Sequence, residues 1–324
     1  MTMMNSTMRE PVSLTEAYAA AHNAAVIVDH HERGMIYLTG STRLDLINRM
    51  STQAVDKLGS GEGAATVLTT DIGRIIDRPI LYATSDSVYL LTGEGHAPAL
   101  IRYFMRNIFF NDDVQVRDIS GETAIFGIYG PRAGEMLAAA GFPEGDIPLH
   151  HWRRNEIGGA TAYLHRTGPI AGDGYFVTAG EPDREPVLAA LLAAGPALID
   201  DAAYDYLRIE AGLPRFGREL TLDYIPLEAG LWADVSFSKG CYVGQEIIAR
   251  MESRGKLAKR LVRLRPGAAV ERGAEITVGG RAVGTVTSAA NGPGGPVALG
   301  YVKTSALNEG AALAVGDVDL TVLA

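Results

Sequence analysis

The chain has a single cysteine, Cys241, among 324 residues. That excludes an intramolecular disulfide and any metal centre built from cysteine alone within one chain. No stretch approaches the roughly 20 consecutive apolar residues of a membrane-spanning helix. Met1 to Glu10 lack the continuous apolar core of a signal peptide. A cytoplasmic location without a membrane partner is therefore expected. Positive charge is short as well: 29 lysines and arginines against 38 acids give a net charge of −9. That is the wrong sign for a chain that coats nucleic acid. A P-loop, a serine-nucleophile motif, an internal repeat and a low-complexity tract are all missing. Gly59-Ser60-Gly61-Glu62-Gly63 lacks the strand-to-helix setting of a dinucleotide site.

The length suits two or three domains, and the 38 glycines imply many turns between short strands. Residues 1–22 read as a polar, alanine-containing lead-in. The apolar runs 25–28 and 35–38 flank a polar stretch and predict a hairpin-like pair. Ser41 is placed to cap a helix bearing Leu44, Ile47 and Met50 on one face. Strands are expected at 64–68, 75–82 and 87–91, the second demoted by Pro79 to an edge or a bulged strand. Leu100, Ile101, Phe104, Met105, Ile108 and Phe109 recur at helical spacing and predict a helix over 97–109. Further helices are expected at 131–140, 186–194 and 200–211, the last ended by Gly212. Strands are expected between them at 124–129, 160–165 and 175–178. From about Leu257 only strands and glycine-rich turns follow, which reads as a small β domain. The whole is α+β.

The most informative segment is Lys239-Gly240-Cys241-Tyr242-Val243-Gly244-Gln245-Glu246. Ile247, Ile248 and Met251 make a helical face, so a helix starts near Gly244. A thiol before a helix N-terminus and beside a lysine is biased toward thiolate. The two flanking glycines would let backbone approach a ligand closely. The alternative is a structural cysteine buried in a tight turn. Asp29-His30-His31-Glu32 and His150-His151 have metal-ligand residue types, but no third ligand is placed by spacing. They read as loop residues, and no metal site is expected.

This eight-residue run resembles the K-G-C-Y-x-G-Q-E signature of the YgfZ-type folate-binding proteins, in the superfamily of the glycine-cleavage T-protein, an aminomethyltransferase. The similarity extends to Arg208-Ile209-Glu210-Ala211-Gly212-Leu213-Pro214, to Pro226-Leu227-Glu228-Ala229-Gly230-Leu231, to Ala249-Arg250 and to Gly73-Arg74-Ile75-Ile76-Asp77. The resemblance implies two ferredoxin-like α+β units and a C-terminal β-barrel around a central channel that takes tetrahydrofolate or a derivative. The boundaries would be 1–118 for a folate-binding unit, 119–256 for a unit carrying the signature, and 257–324 for the barrel. It implies a role in iron–sulfur cluster assembly or repair, with an iron–sulfur client or scaffold protein as partner. Cys241 and Lys239 would be the reactive pair lining the channel. Asp77, Arg208, Glu210, Gly240, Tyr242, Gly244, Gln245 and Glu246 would contact the cofactor. Asp77 also reads as a solvated strand carboxylate, and Arg208 with Glu210 as a structural ion pair.

Departures from the transferases are specific. Their second aspartate, which faces the folate, is replaced by Arg78 after Asp77; a carboxylate there stabilises a cationic intermediate and a guanidinium repels it. Pro169 and Phe176 interrupt a stretch that holds the pterin in transferases, and Tyr204 stands where an arginine is expected. The alternative function is a folate-dependent aminomethyl or one-carbon transferase. A basic run of Arg250, Arg254, Lys256, Lys259, Arg260, Arg263 and Arg265 follows the signature. It reads either as solvated charge or as an anchor for the anionic tail of folate or for an acidic partner.

Overall fold

The structure, a computed structural model, describes residues 10–143 and 145–323. The chain opens with α1 (Leu14–Asn23), β1 (Val26–Asp29), β2 (Arg33–Thr39) and α2 (Arg43–Met50). Then come β3 (Gly63–Ala65), β4 (Leu68–Thr69), β5 (Ile75–Asp77), β6 (Ile80–Ala83), β7 (Ser87–Glu94), α3 (Ala97–Met105) and β8 (Gln115–Asp118). The middle of the chain forms β9 (Thr123–Gly130), α4 (Ala133–Ala139), β10 (Trp152–Ile157), β11 (Ala160–Arg166) and β12 (Asp173–Gly180). It continues through α5 (Arg184–Ala193), β13 (Ala197–Ile199) and α6 (Asp201–Ala211). After a long loop, α7 (Gln245–Arg254) leads into β14 (Lys259–Pro266), β15 (Glu275–Val278), β16 (Arg281–Gly292) and β17 (Gly295–Lys303). The last elements are α8 (Thr304–Asn308), β18 (Leu313–Val315) and β19 (Val318–Leu323).

Strand alternation builds the layers. In β2, Ile36 and Leu38 point to α2 and α3, while Met35 and Tyr37 point the other way. In β11 and β12, Ala162, Leu164 and Val177 pack with α4 and α5, and Phe176 faces away from them. Two sheets result, a five-stranded one ordered β3-β6-β7-β2-β8 and a six-stranded one ordered β10-β11-β12-β9-β1-β13. Their other faces meet, together with α1 and α6, in a shared core that includes Met35, Tyr82, Ile125 and Tyr129. The third part is a closed barrel, β14-β17-β16-β15-β18-β19, filled by Leu264, Ile276, Val286 and Val302. This is the expected α+β architecture with a C-terminal barrel. Among the described residues, no helix is long and apolar enough to cross a membrane.

Several expectations are corrected. The runs 25–28 and 35–38 do not pair: β1 lies between β9 and β13 in the six-stranded sheet, and β2 joins the five-stranded one. The six-stranded sheet therefore takes a strand from before residue 118. Residues 14–23, read as lead-in, are a helix, because Ser13 and Glu16 form a reciprocal capping box. Ser41 does not cap α2; its side chain and N–H both bond Asp113. The helix over 97–109 stops at Met105, leaving Phe109 and Phe110 exposed. The expected strand 75–82 breaks at Arg78-Pro79 into β5 and β6.

Three histidines are buried, and burial drives each toward its neutral form. His165 falls to about 3 and His150 to about 4, with the Arg78 charge adding to the latter. His30 lies well below its ordinary value. Each would take up a proton on unfolding. Their contribution to stability is thus complete above pH 6.5, the ordinary histidine value, and drains away as pH falls toward about 4. Urea unfolding at stepped pH should show the fall between about pH 6 and 4 become shallower in His165→Asn, by about 1 kcal/mol per pH unit.

Candidate ligand site

A cavity of about 460 Å³ lies where the two open sheets, α6, the loop over residues 212–231 and the barrel converge. That volume belongs to the range of small-molecule sites. One wall is aromatic, made by Tyr129 at the end of β9, Phe176 on β12 and Tyr204 on α6. The His30 ring lies 4.7 Å from Tyr204 and 5.6 Å from Phe176, and its Nε2 is 3.1 Å from the Tyr129 hydroxyl. Burial pushes both tyrosine hydroxyls up and His30 down, so this wall is uncharged at pH 7. His150, held at a φ of 66°, also lines the cavity, and its Nδ1 is buried without a partner.

Five arginines line the cavity against two carboxylates, Asp77 and Glu94. Four are tied down. Arg78 grips Asp234 through Nε at 2.5 Å and a second nitrogen at 3.3 Å. Arg215 bonds Glu94 at 3.2 Å and Asp201 at 3.0 Å. Arg208 is 1% exposed and bonds Asp205, the fully buried Glu219 and the Ser288 hydroxyl. Arg263 donates to the Glu210 carbonyl. Arg33 donates to the Thr92 carbonyl, lies 5.2 Å over the Phe176 ring, and has no carboxylate partner among the described residues.

Asp77 is 1% exposed, which corrects its reading as a solvated strand carboxylate. One oxygen accepts the Arg78 N–H at 2.7 Å; the other accepts the Gly93 N–H at 3.1 Å and meets His96 Nδ1 at 3.0 Å. Asp77 shares the buried face of β5 with Ile75, two residues before it.

The structure does not bring the signature into this cavity. Cys241 is exposed and Gly240 lies at the surface; neither lines the cavity, nor does Lys239, Gln245 or Glu246. The Lys239 ammonium is spent on the end of α2, donating to the carbonyls of Asn48 at 2.6 Å, Ser51 at 3.0 Å and Gln53 at 2.7 Å. A lysine there also meets the negative end of the helix dipole. Burial pulls it down to about 8, so it still holds its proton at pH 7. Tyr242 packs against Ile225, Leu227 and Ile248 in a small core. Gly244 starts α7 at a φ of +85°, and a Cβ there would stand 2.6 Å from both Thr69 Oγ1 and the Thr70 carbonyl. Only glycine fits, and the requirement comes from β4 rather than from a ligand. Glu210 faces Tyr18 and His22, on the side of α6 away from the cavity. The expected Arg208–Glu210 pair does not form.

Of the basic run, Arg263 alone lines this cavity. Lys259 sits 4.3 Å over the Tyr224 ring. Sequence reading passed over Arg33, Arg215 and Glu219, and it took His30 for a loop residue. The available signal was Arg215-Phe216-Gly217-Arg218-Glu219, three charges in five residues of a stretch otherwise rich in glycine and leucine.

Residues 7–239 match the GCVT N-terminal domain, and residues 259–321 match the glycine cleavage T-protein C-terminal barrel domain. The chain belongs to the glycine-cleavage T-protein family. Similar relatives include "Putative transferase At1g60990, chloroplastic" of Arabidopsis thaliana, 31% identical over 93% of this chain and 71% of that protein. An aminomethyltransferase of Thermus thermophilus is 28% identical over 91% of this chain and 84% of its own. The glycine cleavage system aminomethyltransferase T structure from Bartonella henselae shares the fold at a TM-score of 0.84 and 23% identity, covering 97% and 88% of the two chains.

In this T-protein family member Lys239 holds the signature loop to α2, its ammonium bonded to three carbonyls and not to the thiol. Lys239→Met should cost about 2 kcal/mol in urea unfolding, because three carbonyls lose their donor. The alkylation rate of Cys241 at pH 7 should stay within about twofold of the parent, where a thiolate-tuning lysine would slow it by more.

Proposed function

We propose that this chain is a YgfZ-type protein that binds tetrahydrofolate, or a close derivative, in the junction cavity and supports iron–sulfur cluster assembly or repair. The observation that carries the folate reading is the cavity wall: neutral aromatic rings in edge-on and tilted contact beside arginines that outnumber carboxylates. A flat pterin suits the Tyr129, Phe176 and Tyr204 faces. The unpartnered Nδ1 of His150 offers it a hydrogen bond. Arg33 suits an anionic glutamate tail. Membership of a family whose relatives include aminomethyltransferases supports the same ligand.

Arg78 argues against glycine-cleavage chemistry. Its guanidinium is part of the wall and is paired with Asp234, so the wall has no second carboxylate at that position to stabilise a developing cation. The iron–sulfur role rests on the exposed thiol. One thiolate cannot hold a cluster that needs four ligands. Among the described residues, no group of three histidines, cysteines or acids could hold a metal. Cluster contact would therefore be shared with a client or scaffold protein that presents the remaining ligands.

Two measurements test this. By titration calorimetry, Arg33→Gln should weaken tetrahydrofolate binding about tenfold, the loss of one charged hydrogen bond; unchanged affinity would remove the cavity as the folate site. Cys241→Ser should keep the parent melting temperature and fail to restore iron–sulfur enzyme activity in cells lacking the chain.

A second reading, one-carbon transfer from a methylated amine to the folate, is favoured by Asp77, a buried carboxylate in the cavity wall. Methylene-tetrahydrofolate formation from candidate amines, lost in Asp77→Asn, would establish it. No product above the protein-free rate would exclude it for those amines.

A further inference from the structure

A second cavity, of about 350 Å³, opens between the two sheets and shares no lining residue with the first. Its walls follow from strand alternation. β2, β6 and β7 present Tyr37, Tyr82 and Tyr89 on the face that turns away from α2 and α3. β10 and β11 present Trp152, Tyr163 and His165 from across the gap. The rings sit in contact as Tyr37 with Tyr89 at 5.1 Å, Tyr82 with His165 at 4.0 Å and Trp152 with Tyr163 at 5.6 Å. Well-packed sheets fill such a space with aliphatic side chains. Here flat rings surround a void.

The interior is polar but uncharged. Burial brings His165 down to about 3 and raises the Tyr82 hydroxyl, so both are neutral at pH 7. His165 Nε2 bonds the Thr178 hydroxyl at 2.9 Å, which leaves Nδ1. That Nδ1 and the Tyr82 hydroxyl are buried with no hydrogen-bond partner. Buried polar atoms are rarely left so, and both belong to side chains that line this cavity. At the mouth, Arg117 and Glu122 are paired with each other at 2.5 Å and exposed, so the rim has no spare charge of either sign.

From this geometry we infer that the inter-sheet cavity binds an uncharged purine nucleoside, its base between the rings of the two sheets and its ribose toward Arg117 and Glu122. A purine supplies flat faces for stacking on Tyr89 and Trp152. Its edge carries both donors and acceptors for Tyr82 and His165. The ribose hydroxyls suit a rim that holds a guanidinium and a carboxylate. The site is separate from the folate reading and does not depend on it.

The protein has two tryptophans, Trp152 and Trp232. Trp232→Phe therefore leaves Trp152 as a sole reporter inside the cavity, and it removes an exposed side chain outside both cavities. Adenosine titrated into this variant should quench Trp152 emission saturably. Adding Tyr82→Phe should weaken binding about fivefold, the value of one hydrogen bond, without lowering the melting temperature, since the hydroxyl it removes has no partner in the protein. Adding Tyr89→Leu, at a half-exposed position, should weaken binding as well. AMP should bind no more tightly than adenosine, and saturating tetrahydrofolate should leave the adenosine affinity unchanged. Absence of saturable quenching, parent-like affinity in both added variants, tenfold tighter AMP binding, or competition by tetrahydrofolate would each overturn the assignment.

Discussion

The pair of Arg208 with Glu219 is the interaction on which the rest of the molecule depends. Both are buried, at 1% and 0% exposure, and between them they tie α6, the loop that follows it and the barrel together. Arg208 rises from α6 and bonds Ser288 on the barrel strand β16. Glu219 takes that same hydroxyl and the Arg215 N–H, and its carbonyl takes the Tyr301 hydroxyl from β17. Two charges buried this deeply are tolerated only when nearly every lone pair and proton is used. Here the requirement for full satisfaction fixes where helix, loop and barrel stand relative to one another. Removing either partner would leave the other charge stranded in a dry interior, a change on the order of 3–5 kcal/mol.

The junction cavity is the space this arrangement encloses, and its character follows from how its arginines are used. Arg78, Arg208 and Arg215 spend their charge on Asp234, Glu219 and Glu94 with its acidic neighbours. Arg33 does not. Gly212, at a φ of +79°, ends α6 and lies against the Arg263 side chain, where a Cβ would come within 2.6 Å of Cδ. Termination of one helix thus sets the place of an arginine that belongs to the barrel. A cavity with neutral aromatic faces and more arginines than carboxylates discriminates by shape and by sign together. The inter-sheet cavity has only shape and hydrogen bonding to work with.

Much of the framework was legible in the sequence because it is written locally. The acid-rich start and glycine stop of α6, the helix beginning after Gly244 and the turn-punctuated barrel all depend on residues within one or two turns of each other. What was not legible depends on pairing across long separations. Val26 meets Tyr129 on one side and Ala197 on the other, and no local pattern distinguishes that from a hairpin with Met35. The site divided the same way. Asp77 and Arg208 were singled out and do line the cavity, but as groups already engaged with protein partners. The signature drew attention for its residue types. Its glycine and lysine turn out to answer to β4 and α2, contacts more than a hundred residues distant in the chain.

The place of β1 has a consequence for how the chain is made. It is the second strand from the edge of its sheet, and both its neighbours, β9 and β13, lie far downstream. The apolar residues Val26, Ile27 and Val28 cannot be covered on both edges until residue 199 has left the ribosome. Loop-closure entropy delays such non-local pairing further. During synthesis this segment is an open ribbon of valine and isoleucine, and the nascent polypeptide must keep it from competing partners until β13 has been made.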